Sequence, residues 1–258
     1  MFTADDNAYI LRRLERNQVI LVTGAGFSLM SSNANDESLP TSTKFSEKIW
    51  KLLNYTEAYD GTALSYLWDL LLNSGISESR ITNLLKDTFT VKDYHDLYNH
   101  ITKPFWYRIY TLNIDNLLEV IYNRQGRILQ RLKYPNDENS ERDQSLLKMQ
   151  IIHLNGALPC NPKEIIFSRA QYAESSNNMQ PLYHEFVHDY STRTTIFVGT
   201  QLEEQIFEQY LHRRGKRHGN ESEKRPRSFL ILPQLSIAKI NLLELYNIKY
   251  VEGTTELF

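Results

Sequence analysis

Residues 19–28 read VILVTGAGFS, and no other stretch narrows the choice of fold as far. A continuous, mostly β-branched apolar run without polar alternation is expected where a strand is buried on both faces, as in a parallel sheet. Its abrupt end at Gly-x-Gly suits a loop whose backbone comes close to a ligand beyond the strand's carboxyl end. The dinucleotide fingerprint wants a third glycine, where this chain has Leu29, and a polar loop follows instead of a helix. Taken alone, the stretch fits a nucleotide loop or a plain tight turn about equally.

The pattern continues along the chain. WYRIYT (106–111), RILQRL (127–132), QIIHL (150–154), EIIFS (164–168), TTIFVG (194–199), SFLIL (228–232) and IKYVEG (248–253) read as strands. Between them fall helical stretches at 8–17, from Lys44, at 63–73, 77–88 and 94–100, from Asn113, near 181–191, at 202–214 and at 237–247. Ser42 or Thr43 is expected to cap the helix that starts at Lys44. Residues 134–148 are charged and loop-like. Strands alternating with helices predict an α/β, Rossmann-like fold: a mainly parallel sheet with helices on both faces. Residues 44–100 read as a small helical insertion subdomain, and 1–258 as one domain. The chain stops soon after its last strand, which also suits a piece of something longer.

Composition excludes several classes. Basic and acidic residues number 29 and 31, a net charge of -2, so no general nucleic-acid binder is expected. HRRGKRHGNESEKRPR (212–227) is basic, but its Gly, Asn, Ser and Glu content favours a solvated loop. No 18-residue apolar run exists, so no membrane span is expected. The N-terminus has early aspartates and no apolar signal core. The single cysteine, Cys160, excludes an internal disulfide and a cysteine-rich zinc site, and it reads as an inert loop thiol. A cytoplasmic location is the simplest expectation.

Four strand ends carry small or polar residues: GAGFS (24–28), TLNIDN (111–116), HLNG (153–156) and FVGT (197–200). Asn113 and Asp115 open a helix, where either one is also an ordinary cap. His153 and Asn155 stand two apart, a spacing that puts both side chains on one face of a strand. In an open α/β sheet such ends line one shared crevice.

In this order and spacing the four motifs resemble the sirtuin-like superfamily. The resemblance spans about residues 19–252. YRIYTLNIDNLLE and LELYNIKYVEGTTELF look most like the sirtuin-like NADase domains of bacterial antiphage defence proteins. The resemblance implies that Gly24, Ala25, Gly26, Phe27 and Ser28 wrap the pyrophosphate and nearby ribose of NAD+, with Gly199 and Thr200 completing the cradle. Asn113 would hold the nicotinamide ribose and position water. Asp115 would bind the nicotinamide amide or order the pocket, and His153 would be the general base, with Asn155 at the ribose. The implied reaction is hydrolysis of NAD+ to nicotinamide and ADP-ribose, by an antiphage effector with an off state set by homo-oligomerisation, a partner defence protein that activates it, or both.

Two departures shape the expectation. Protein-deacylating relatives carry a four-cysteine zinc module and a Pro-Asp-Phe-Arg stretch, both missing here, so neither zinc nor lysine deacylation is expected. Many defence relatives read H-x-H-G, with the base directly before the glycine, where this chain has Asn155. Asn155 keeps open the alternative of a catalytically weak NAD- or ADP-ribose-binding sensor or scaffold. An oxidoreductase is disfavoured by Leu29 and by the lack of a clear hydride-site acid.

Overall fold

The computed structural model describes residues 2–132, 149–177, 181–203 and 226–257. Its centre is β1 (Val19–Thr23), buried at every position, as its unbroken apolar run predicts. On one side of β1 lie β4 (Arg108–Thr111), β6 (Met149–His153) and β5 (Leu129–Leu132); on the other lie β7 (Thr194–Val198), β8 (Ser228–Leu232) and β9 (Ile248–Glu252). All six neighbouring pairs of this seven-stranded sheet are parallel. The fold is therefore α/β and Rossmann-like, with helices on both faces.

Alternation along each strand divides the core between the faces. Ile20, Val22, Tyr110, Ile152 and Phe197 point to the layer covered by α7 (Pro181–Thr192) and α8 (Ile237–Glu244). Val19, Leu21, Ile109, Ile151 and Val198 point to the layer covered by α1 (Ala4–Glu15) and α5 (Leu117–Arg124). Helix α1 starts earlier than the apolar pattern indicates, because Thr3 and Asp6 form a reciprocal capping box.

Between β1 and β4 the chain builds the short pair β2 (Ser31–Asn33) and β3 (Val91–Tyr94), with α2 (Ser42–Leu52), α3 (Leu64–Asn73) and α4 (Glu78–Phe89) between them. The cap of α2 is Thr41, one residue before the expected pair. Phe45, Ile49, Leu67, Trp68, Ile81 and Leu85 of these helices share an apolar cluster with Ile114, Leu158 and Ile165. Those three follow β4 and β6, so the helical segment is seated over the carboxyl ends of the strands.

EIIFS is not a strand. Ile165 and Ile166 are buried, but the segment joins no sheet. The Ile166 amide donates to the Asn155 carbonyl at 3.0 Å, and the two isoleucines plug different core clusters. A short apolar run cannot by itself tell core-filling loop from strand. Helix α6 (Arg169–Asn177) follows it, in a stretch with no apolar periodicity to announce it. The expected helix at 202–214 and the loops at 134–148 and 212–225 lie almost wholly outside the described residues. Arg227, at the end of the basic stretch, pairs with Asp5 and Asp6.

A buried polar network ties α7 to the sheet. Arg108 bonds Glu185 Oε1 at 2.7 Å, Asp189 Oδ2 at 2.8 Å and Gln150 Oε1 at 2.7 Å; Tyr110 also donates to Asp189. Arg108→Met removes the cation shared by buried Asp189 and half-buried Glu185, while Asp189 keeps its bond to Arg193. We expect a loss of about 3 kcal/mol in urea unfolding, since breaking one side of a buried pair strands the other charge.

Candidate functional site at the carboxyl end of the sheet

The chain moves from β1 to one side of the sheet and later returns to β7 on the other. Such a switch point opens a crevice beyond the strand ends. Here the loops after β1 and β7 touch backbone to backbone. The Gly24 amide donates to the Val198 carbonyl at 3.0 Å and the Gly26 amide to the Gly199 carbonyl at 2.9 Å. A Cβ on Gly24 would lie 2.7 Å from the Gly199 oxygen, and one on Gly26 would lie 2.9 Å from the Gly199 Cα. These glycines allow the two loops to meet, and the Gly24 and Gly26 amides are engaged by the protein itself.

A cavity of about 230 Å³ lies beside this contact, under the helical segment. Its lining brings together Ala25 and the polar Ser28, Asn113, Asp115 and Asn155, from the loops after β1, β4 and β6. Its apolar wall includes Phe45, Leu64, Phe89 and Phe167. Gly24, Gly26, Phe27, Gly199, Thr200 and His153 are not among its lining residues. Phe27 is buried against Tyr98, whose hydroxyl donates to the Phe27 carbonyl. Thr200 Oγ1 accepts from the Leu202 amide at 3.0 Å.

Three of the cavity's polar residues, Ser28, Asn113 and Asp115, form one network. Asn113 Nδ2 donates to the Gly24 carbonyl and to Ser28 Oγ, each at 3.0 Å. A carbonyl can only accept, so this contact fixes the orientation of the amide. Oδ1 makes no hydrogen bond to a described residue and is the group Asn113 offers to the cavity. Ser28 passes its own proton to Asp115 Oδ2 in a 2.9 Å bond, and Asp115 Oδ1 accepts from the Leu117 amide at 3.0 Å. Asp115, just ahead of α5, thus holds the helix's first amide and anchors the network at once.

Burial pushes the Asp115 carboxyl up to about 6. The bonds from Leu117 and Ser28 and the nearby His153 oppose the rise, while Glu119 adds to it. The sign follows directly: an unfolded aspartate releases its proton near 4, so between about pH 4 and 6 the folded chain holds the extra proton. Stability therefore falls as pH rises through that window and stays lowered above it. Asp115→Asn is expected to gain on the order of 2 kcal/mol relative to the parent between pH 4 and pH 7, measured by urea unfolding. A difference between the two proteins that does not change with pH would contradict the assignment.

His153 and Asn155 do not share a face. Strand β6 ends at His153, which keeps the parity of Ile151 and turns to the α5 side. It is fully buried: Nδ1 lies 2.9 Å from the Asn113 carbonyl and Nε2 lies 2.8 Å from Glu119 Oε1. Beyond the strand, alternation lapses in a turn. Asn155 Nδ2 donates to the Leu112 carbonyl at 3.0 Å, and its Oδ1 accepts from Tyr183 on α7 at 3.1 Å. The expected base at the ribose is thus enclosed behind Asn113, and Asn155 reaches the cavity with both ends of its amide engaged.

Sequence reasoning passed over Glu119, Tyr183 and the aromatic wall. Glu119 left a signal, a charged residue within the apolar LLEVI of an amphipathic helix. Phe45, Phe89 and Phe167 left none, since they read as ordinary core.

Crevice, crossed loops and amide-carboxylate network together define a doubly wound α/β protein of the nucleotide-binding kind. The model of the SIR2-like domain matches residues 107–251, more than half of the chain, and the chain belongs to that family. No curated protein matches it. A relation to NAD+ follows from the family. Among the described residues no helix is long and apolar enough to cross a membrane, and no group of three or more His, Cys, Asp and Glu side chains is placed to hold a metal ion.

Proposed function

We propose that the chain hydrolyses NAD+ to nicotinamide and ADP-ribose and acts as an effector of antiphage defence. The observation that carries the reading is the Ser28–Asn113–Asp115 network on the wall of a half-open, partly aromatic cavity at the switch point. A cavity of about 230 Å³ is below the ~300–1,000 Å³ of pockets that enclose whole ligands. It suits a nicotinamide ring and its ribose, with the remainder of the dinucleotide in the open crevice past Ala25.

Breaking the N-glycosidic bond asks little of acid catalysis. Nicotinamide leaves neutral from a cationic pyridinium, and positive charge develops on the ribose. Orientation and electrostatics do most of the work. The Asn113 side-chain oxygen, Oδ1, is available to a ribose hydroxyl or to the attacking water. Asp115, ionised above about pH 6, places negative charge near the developing cation. Phe45, Phe89 and Phe167 give the ring an apolar seat and keep bulk water away. Nicotinamide release should therefore decline as pH falls through about 6, and a rate that is flat from pH 5 to 8 would remove Asp115 from this role.

The second reading, a binding module for NAD+ or ADP-ribose, is favoured by one observation: Asn155 is tied at both ends and, among the described residues, no histidine lines the cavity. Release of nicotinamide from NAD+ separates the two. A parent protein that binds NAD+ but leaves it intact, with activity appearing in Asn155→His, would establish the module. An active hydrolase depletes its own cell of NAD+, so a restrained state in the cytoplasm, set by homo-oligomerisation and released by a partner defence protein, belongs to the proposal. A monomer that is already fully active would contradict that part.

A further inference from the structure

His153 and Glu119 lie outside the cavity yet touch the residue at its centre. Glu119, on α5, bonds His153 Nε2 at 2.8 Å, and His153 Nδ1 meets the main-chain oxygen of Asn113 at 2.9 Å. A carbonyl has no proton to give, so Nδ1 must carry the hydrogen and donate it. The ring is 0% exposed and Glu119 is 7% exposed, so water does not compete for either contact. Asn113 is held from three sides: its amide by the Thr111 hydroxyl, its side chain by Gly24 and Ser28, and its carbonyl by His153.

We propose that His153 is a positioning residue that clamps the Asn113 backbone through Nδ1–H, with Glu119 holding the ring in the plane that makes this possible. The inference rests on the hydrolase reading for its effect on rate, and on geometry alone for the clamp. Without the clamp the Asn113 peptide can rotate, and Oδ1 loses its fixed place against the ribose. Misplacement by about 1 Å costs on the order of 100-fold in rate.

Two substitutions divide the ring between them. An asparagine amide nitrogen occupies the place of Nδ1, while a glutamine amide nitrogen occupies the place of Nε2. His153→Asn should keep the clamp and a kcat for nicotinamide release within about 3-fold of the parent. His153→Gln keeps a partner for Glu119, loses the clamp, and should lower kcat by roughly 30- to 100-fold with KM within about 3-fold. A merely structural histidine would make the two variants alike, and equal losses, or a loss confined to KM, would overturn the proposal. Nitrogen-15 spectra of histidine-labelled parent protein give a readout that needs neither variant to fold. They should show a slowly exchanging Nδ1–H, and a ring protonated at Nε2 alone would overturn the clamp. If the parent releases no nicotinamide, the hydrolase reading fails, and this resonance still decides whether the clamp exists.

Discussion

Asn113→Ala is expected to reduce nicotinamide release from NAD+ by at least about 100-fold while leaving the protein folded. The side chain is half-buried and its protein bonds go to Gly24 and Ser28. Ser28 keeps its bond to Asp115 without it. The stability loss should therefore be about 1 kcal/mol, the net worth of an ordinary hydrogen bond. The rate loss is larger because the proposed role puts Oδ1 against the reacting ribose, where a fixed dipole matters more than in the resting protein. Steady-state kinetics beside a binding titration with ADP-ribose separate the two effects. A variant within 3-fold of the parent rate would show that Asn113 does not act on the ribose.

Gly199→Ala should destabilise the chain by more than about 3 kcal/mol in urea unfolding. Gly199 has φ +70°, and an added Cβ would overlap the Phe27 amide nitrogen and lie 2.6 Å from the Gly26 carbonyl carbon. Neither neighbour is a flexible side chain, so the loops after β1 and β7 must part. A control isolates the clash. Gly126 has φ +62° with nothing within 4 Å of its Cβ position, so Gly126→Ala carries only the left-handed conformation, about 1 kcal/mol. If both variants lose the same amount, crowding between the loops contributes nothing, and the glycines are there for backbone conformation alone.

Much of the fold could be read from the residues because burial on both faces leaves a continuous apolar run. VILVT, TTIFV and SFLIL each mark a central strand, and the alternation with amphipathic helices implies parallel pairing. EIIFS carries the same signal and is a core-filling loop, since apolar content records burial and not pairing. The pair β2 and β3 escaped notice because its residues are polar, short and half-exposed. At the site, Ser28, Asn113 and Asp115 could be found because polar side chains at the ends of buried strands are otherwise costly. The arrangement of His153 and Asn155 could not. Two-residue periodicity holds only while the strand lasts, and β6 ends between them. The glycines were legible as a close approach, but what they approach is partly the opposite loop.

We propose that the cavity holds the nicotinamide riboside end of NAD+ and that its network breaks the glycosidic bond. The most direct test incubates the full chain with NAD+ labelled in the nicotinamide ring and quantifies products by chromatography, with Asn113→Ala alongside. Free nicotinamide and ADP-ribose are expected in equal amounts from the parent, and almost none from the variant. Intact NAD+ in both, under conditions where binding is demonstrated, would contradict hydrolysis and leave a binding module.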